Sequence, residues 1–240
     1  MNYPTPLTQA VLLKRYKRFL ADVEFEDGTV LTAHCANPGA MTGCWVAGCM
    51  ARLSFHDNPK RKLKWSLEQT QVDGTWIAVN TAVHNRVVGE ALQANHIAEL
   101  TGYDSIQREQ KYGEGSRIDF LLSASQRRCY VEVKGVSLVE DGIGLFPDSV
   151  TKRGQKHLSE LMEVARQGHR AVMLFSVARG DIAVVRPADH IDPVYGTLLR
   201  QARDVGVELL AYRCEVGVDE LKLTERLEVE LPSQGPPAAR

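Results

Sequence analysis

Arg117-Ile118-Asp119-Phe120-Leu121-Leu122 is followed, thirteen residues after its aspartate, by Glu132 in Tyr130-Val131-Glu132-Val133-Lys134-Gly135. Both stretches have the composition of strands. Alternation along the second puts Glu132 and Lys134 on one face and Val131 and Val133 on the other. An aspartate within an apolar strand is costly to bury alone, so Asp119 calls for a partner or a cation. Ser123 to Arg128 is short enough to turn one strand back beside the other and bring Asp119 to Glu132. Such a pair offers the hard oxygens that Mg²⁺ takes, with water, a backbone carbonyl and a phosphate oxygen completing the shell; Mn²⁺ uses the same donors. Lys134 beside them can orient a water or neutralise charge on phosphorus. Glu-x-Lys also occurs on exposed strand faces as a solvated ion pair, and that reading stands beside the catalytic one.

Around this pair the apolar spacing alternates between helix and strand. Val87, Val88, Ala91, Leu92, Ala94, Ile97 and Ala98 recur at helical intervals, with Asn85 as the candidate cap. Strand-like runs follow at 106–110, 118–122 and 129–133, then a glycine-interrupted extended segment over 136–146. Leu158, Leu161, Met162 and Ala165 mark a second helix ending at Gly168. Ala171 to Val177 reads as a buried strand. A further strand, a helix over 193–205 and a strand at 207–212 close the series.

The first eighty residues read differently. Phe19, Ala21, Val23 and Phe25 alternate with polar neighbours, which places Phe19 in a core. Asp27-Gly28 turns the chain into a strand ending at Cys35, and further strands are expected at 50–55, 64–72 and 75–79. Five short antiparallel strands without a helix predict a small barrel of the OB type, with an SH3-like barrel as the alternative. The expected organisation is therefore a two-domain protein. An OB-like barrel spans 1–82, a restriction-endonuclease-like α/β domain with a mixed central sheet spans 83–231, and a disordered tail spans 232–240.

Composition narrows the function classes. The 240 residues are 44% hydrophobic and 25% charged, with a net charge of −1, the profile of an ordinary globular protein. No apolar run reaches the roughly 18 residues of a membrane span, and Met1 to Gln9 lacks a signal-peptide core. A cytoplasmic location without membrane contact follows. Five cysteines, an odd number without a C-x-x-C pair, argue for reduced thiols over disulfides or a zinc site at His34, Cys35, Cys44 and Cys49. Residues 1–65 carry nine basic and five acidic side chains, whereas 204–231 carry three basic and eight acidic. That asymmetry suggests one face for an anionic partner. In the barrel, Arg15, Lys17 and Arg18 surround Tyr16, and Arg61, Lys62 and Lys64 precede Trp65. Cations interleaved with aromatics suit backbone contact and base stacking on DNA; aromatics of a barrel core are the plainer reading.

The order helix, three strands, helix, strand is that of the PD-(D/E)xK nuclease superfamily, with Ile118 where a proline commonly precedes the aspartate. More closely, six stretches resemble the sugar fermentation stimulation protein A family. They are residues 15–23, Asn37-Pro38-Gly39-Ala40-Met41, Ser116-Arg117-Ile118-Asp119-Phe120, Glu132-Val133-Lys134-Gly135, Phe146-Pro147-Asp148-Ser149-Val150-Thr151 and residues 153–161. The resemblance runs from Arg15 to about Leu231. It implies an OB-like domain joined to a PD-(D/E)xK-type domain, sequence-independent DNA binding, and a regulatory role in sugar, notably maltose, metabolism. A Mg²⁺-dependent nuclease and a DNA-binding regulator with a catalytically silent nuclease fold are both compatible with it. No sugar-site signature is present. A homodimer is an arrangement that nucleases of this fold adopt.

Further site candidates follow from the superfamily. Glu90 on the first helix could supply a third metal carboxylate, or simply an acidic group near a helix N-terminus. Glu109 could do the same, or be a surface charge on an edge strand. Gln155 and Lys156, opening the second helix, could hold water or phosphate as catalytic groups. His157 beside them reads as an exposed first-turn residue.

Overall fold

A computed structural model describes residues 1–3, 6–113 and 115–233. Of the expected tail, 234–240 lie outside the described residues. The N-terminal strands are β1 (Thr8–Tyr16), β2 (Leu20–Glu24), β3 (Val30–Cys35), β4 (Cys49–Phe55), β5 (Trp65–Val72) and β6 (Thr75–Ala78). They pair in the order β3-β2-β1-β4-β5-β6, and β3 also meets β5 in parallel through His34–Ser66 and Cys35–Leu67. That contact closes β1 to β5 into a five-stranded barrel, as the OB reading requires.

Membership of the barrel differs from the sequence expectation. Thr8–Tyr16 supplies the first strand, and Thr75–Ala78 lies outside the closed set as a hairpin partner of β5. The run Val11-Leu12-Leu13 hides the alternation of β1: Ala10 and Leu12 are buried, while Val11 and Leu13 are half-covered from outside. Phe19 is 46% exposed rather than in the core. It follows Lys17 and Arg18, both in left-handed backbone (φ +48° and +62°), so the turn carries its ring outward. Ala21 and Val23 do face the core.

The remainder comprises α1 (Ala82–Gln93), β7 (Ser105–Tyr112), β8 (Ser116–Ala124), β9 (Arg127–Val136), β10 (Leu138–Glu140), β11 (Ile143–Phe146), α2 (Lys152–Arg166), β12 (Arg170–Val177), β13 (Val184–Pro187), α3 (Pro193–Asp204), β14 (Glu208–Val216) and β15 (Leu221–Val229). One mixed sheet runs β10-β11-β13-β15-β14-β12-β9-β8-β7. Its centre, β9-β12-β14, is parallel, whereas β7-β8-β9 is antiparallel. Val87, Val88 and Leu92 of α1 cluster with Val131, Val133 and Leu174, so α1 covers one face. Leu158 and Leu161 of α2 and Leu199 of α3 cluster with Ala171, Met173 and Phe175 on the other. α1 begins earlier than the Asn85 cap predicted: Thr81 is the N-cap, and Asn80 Oδ1 accepts from the Ala82 N–H. Asn85 is thereby freed for another role. Among the described residues no helix is long and apolar enough to cross a membrane.

The barrel is seated on the sheet through its 36–44 loop. Asn37 Nδ2 donates to the Val79 carbonyl at 2.9 Å, Arg179 Nη1 to the Gly43 carbonyl at 3.3 Å, and the Met41 N–H to Asp148 Oδ2 at 3.3 Å. Arg15 Nη2 donates to the carbonyls of Asn37 and Gly39 at 2.7 and 2.9 Å, fixing this loop from the barrel side. A Cβ on Gly39 would sit 2.8 Å from Asp148 Oδ2, so the approach depends on that glycine.

Candidate functional site

Strand β8 changes character at Asp119. Ile118 belongs to the cluster under α2, whereas Phe120 and Leu122 belong to the cluster under α1, although strict alternation would send all three the same way. The registered β8–β9 ladder stops at Phe120–Val131. Beyond it, Asp119 Oδ2 accepts from the Val133 N–H at 2.8 Å, in place of a strand carbonyl. On the other side Glu109 interrupts β7 with φ +53°, between the pairs Arg108–Phe120 and Gln110–Ile118. The aspartate therefore sits where two strands part, and its side chain stitches the gap. Asn85 Nδ2 from α1 donates to its other oxygen at 2.6 Å. Burial, then the charge of Glu132, pushes the Asp119 pKa upward against the Val133 N–H, Lys134 and Asn85.

Glu132 lies on the α2 side of β9 and is 2% exposed. Its Oε1 accepts from Lys134 Nζ at 2.6 Å and meets Nδ1 of His157. Its Oε2 is buried and has no hydrogen-bond partner among the described residues. Burial would raise the Glu132 pKa, but the His157 hydrogen bond and the Lys134 charge outweigh it and hold the carboxyl below its ordinary value. These groups line a cleft of about 510 Å³. Its walls come from both halves of the chain: Asn37, Pro38 and Gly39 from the barrel loop, His84 and Asn85 from α1, and Asp148, Arg153 and His157 around the start of α2.

The donor set suits a hard divalent cation. Burial and the charge of Glu132 raise the Asp119 pKa, and Glu132 offers a buried oxygen that no donor among the described residues satisfies. An unpaired buried carboxylate oxygen is rare without a ligand to meet it. Asp119 and Glu132 would hold the ion. Among the described residues no group of three or more His, Cys, Asp or Glu gathers around a common point.

The other candidates fall elsewhere. Glu90 is exposed and pairs with the N-terminal ammonium of Met1 at 3.0 Å, so the third carboxylate of the metal set is not at the cleft. Glu109 is exposed on the edge strand. Gln155 is buried away from the cleft, with Nε2 on both oxygens of Asp192, the N-cap of α3. Lys156 is solvent-facing and pairs with Glu160 at 3.6 Å. Helical geometry explains the change. Residues four apart share a face, so Arg153 and His157 point into the cleft while Gln155 and Lys156 turn aside. The first-turn position of His157 suggested an exposed side chain; it is 4% exposed.

Residues 13–79 match the family described as "SfsA N-terminal OB domain", and residues 82–220 that described as "Sugar fermentation stimulation protein RE domain". The "Sugar fermentation stimulation protein homolog" of Geobacter sulfurreducens is 56% identical over 229 residues, 95% of this chain and 98% of the relative. This chain belongs to the sugar fermentation stimulation protein family. Its relative from Shewanella sp. is 52% identical over 235 residues, covering 96% of this chain and all of that one. The solved structure of Pyrococcus furiosus SfsA in complex with Ca²⁺ superposes with a TM-score of 0.87 at 27% identity, covering 96% of this chain and 98% of the other. The fold is thus what membership of the sugar fermentation stimulation family implies: a closed five-stranded barrel joined to a restriction-endonuclease-like mixed sheet.

Several of the barrel residues singled out for DNA are engaged within the chain. Arg15 is committed to the 37–39 loop. Tyr16 donates to Asp22 Oδ1 at 3.0 Å, Arg61 Nη2 donates to Ser66 at 2.8 Å, and Lys64 Nζ donates to the Asn58 carbonyl at 3.1 Å. Trp65 is half-buried between Phe25 and Phe55, with ring centroids at 4.9 and 5.1 Å. Its groove is also lined by Glu24, Glu26 and Asp27, an unfavourable rim for phosphates. Lys17, Arg18 and Lys62 are exposed. The five cysteines are free and buried, separately placed rather than grouped as zinc ligands.

Proposed function

We propose that this protein is a cytoplasmic DNA-binding phosphodiesterase that uses Mg²⁺ or Mn²⁺ held by Asp119 and Glu132. The observation that carries the reading is the buried, unpartnered Oε2 of Glu132 in a cleft shared with Asp119 and Lys134. The archaeal relative was solved in complex with Ca²⁺, which supports a divalent site in the family, and the restriction-endonuclease-like sheet supports phosphodiester chemistry. Held by Asp119 and Glu132, a divalent ion would supply polarisation of the scissile phosphate and a lowered pKa for a bound water. Lys134 Nζ, with donors left over after its bond to Glu132, neutralises charge developing on the phosphate. The Val133 N–H and Asn85 keep the Asp119 carboxylate oriented. Exposed Lys17, Arg18 and Lys62 supply sequence-independent attraction to the DNA backbone. The test is a metal titration of cleavage with purified protein on plasmid and single-stranded DNA, with Asp119→Ala as control. Metal-dependent cuts that vanish in the variant are expected; no cleavage of any form sinks the catalytic reading.

A second reading, a DNA-binding regulator of sugar metabolism with a silent nuclease fold, is favoured by one observation. Glu90 is drawn to the N-terminus, and among the described residues no group of three or more His, Cys, Asp or Glu gathers around Asp119 and Glu132. The same titration separates the two, because the regulator binds DNA without cutting it.

A further inference from the structure

We infer that Arg153 and His157 act as a positioning relay that turns Glu132 so that it presents one oxygen, Oε2, to the cation; this rests on the metal reading above. The two residues lie one turn apart on α2, on the face toward the cleft. Arg153 Nε donates to His157 Nε2 at 3.3 Å. Guanidinium nitrogens have no acceptor capacity, so Nε2 is the accepting nitrogen and Nδ1 carries the ring proton. Nδ1 faces Glu132 Oε1 and donates to it. Lys134 Nζ, 2.6 Å from the same oxygen, takes its second lone pair. Nζ also stands 3.4 Å from Nδ1, which is compatible with two donors converging on one acceptor. Oε1 is thereby saturated, and the carboxylate cannot rotate to offer it without losing two charge-assisted bonds. Oε2 is left buried and unpaired.

α2 does not need this relay in order to fold. Thr151 Oγ1 caps it by accepting from the Gly154 N–H, Gln155 ties it to Asp192, and Leu158 and Leu161 are fully buried. Arg153 is exposed. A histidine and an arginine placed behind a prospective metal ligand are therefore positioning residues, of the kind whose loss typically lowers metal affinity about 10- to 100-fold.

The experiment uses the full chain, its Asp119→Ala control, and His157→Phe, His157→Asn and Arg153→Met, each checked by thermal melting. Nitrogen-15 NMR of the imidazole at about pH 8, where an ordinary histidine is neutral, reads the tautomer without metal. The wild type should show the proton on Nδ1. Calorimetry with Mn²⁺ should show affinity falling about 10- to 100-fold in His157→Phe. His157→Asn, whose amide donor replaces Nδ1–H, should recover most of it. A wild-type proton on Nε2 overturns the relay. So does undiminished Mn²⁺ binding in His157→Phe when Asp119→Ala abolishes it; should that Phe variant not fold, undiminished Mn²⁺ binding in Arg153→Met decides the same way. No Mn²⁺ binding by the wild type overturns the metal reading and this inference together.

Discussion

In the cleft beneath α2, charged side chains converge: Lys134 and His157 close on one oxygen of Glu132, and Asp119 stands across the parted strands. On the barrel, half of the cations that stand out in the sequence turn back to their own chain. Arg15 holds two loop carbonyls, Lys64 holds one, and Arg61 holds a serine. Both regions are rich in charge. They differ in what fixes side-chain direction. Strand alternation fixes it in the sheet, where one residue's position dictates the next. In turns and loops the nearest unsatisfied carbonyl fixes it, and a count of lysines and arginines does not record that. Charge density therefore does not by itself give side-chain direction, whereas a carboxylate in an apolar strand draws its partners to it.

The sharpest way to break this contrast is Lys134→Met. If the cleft is catalytic, cleavage should fall about 10²- to 10³-fold, the usual cost of removing one preorganised group that meets transition-state charge. DNA affinity should barely change, because one cation among many contributes little to backbone binding. Single-turnover rates with saturating protein read the first quantity, and filter binding or anisotropy the second. Full-rate cleavage in the variant would make Lys134 a structural partner of Glu132 and nothing more.

How much of this was legible without coordinates follows the same division. Asp119, Glu132 and Lys134 could be assembled from alternation and a short turn, because both rules act locally. From sequence Asn85 is readable only as a polar residue near a helix start, the place of a cap; Asn80 and Thr81 already do that work. His157 was missed although Arg153 and His157 have the i, i+4 spacing of a shared face. The missing information was which face of α2 meets the sheet, a tertiary property that Leu158 and Leu161 set jointly with Met173 and Phe175. Analogy with the superfamily points to Gln155, yet burial against the α3 cap claims it. In the barrel, β1 escaped because both of its faces carry apolar residues.

A second prediction concerns the wall shared by α1 and β9. His84 is buried, with Nδ1 3.0 Å from Ser176 Oγ, and burial pulls its pKa from 6.5 down to about 4. The native state therefore keeps His84 neutral where the unfolded chain protonates it. Stability from this group is complete above about pH 6.5 and is lost as pH falls toward 4, by up to about 3 kcal/mol. Urea melts across that range should show the decline, and His84→Gln should flatten it. An unaltered acid limb in the variant would assign the decline to other groups.

Arg15 tests whether the barrel cations are structural. Arg15→Met removes the donor to the Asn37 and Gly39 carbonyls. A hydrogen bond involving a charged group contributes about 1.5–3 kcal/mol, so a stability loss at or below the lower end of that range is expected, given partial exposure. Because this loop walls the cleft, cleavage should weaken along with stability. A variant with unchanged melting and selectively weaker DNA binding would return Arg15 to the nucleic-acid surface.

The smallest expected effect belongs to the cations that have stayed exposed. Lys17 and Arg18 sit side by side in left-handed turn backbone, and Lys62 is exposed in the loop before β5. Each phosphate neutralised on duplex DNA contributes about 0.9 to the slope of log affinity against log salt, and about 0.7 on a single strand. Replacing Lys17 and Arg18 with glutamine should therefore flatten the slope by at most about 1.8 on duplex. Cleavage rate at saturation should not change, since neither residue lines the cleft. Adding Lys62→Gln should flatten the slope again only if the turn and the loop contact the same DNA; a further change of zero would confine the barrel's contribution to the β1–β2 turn. A slope untouched by all three substitutions would carry the contrast to its limit: the barrel's charge would then be wholly internal, and DNA would be held by the sheet domain alone. In that event the cations to vary next are Arg108 and Lys111 on the exposed edge strand β7, where Arg108 already reaches the Asn85 carbonyl beside the cleft.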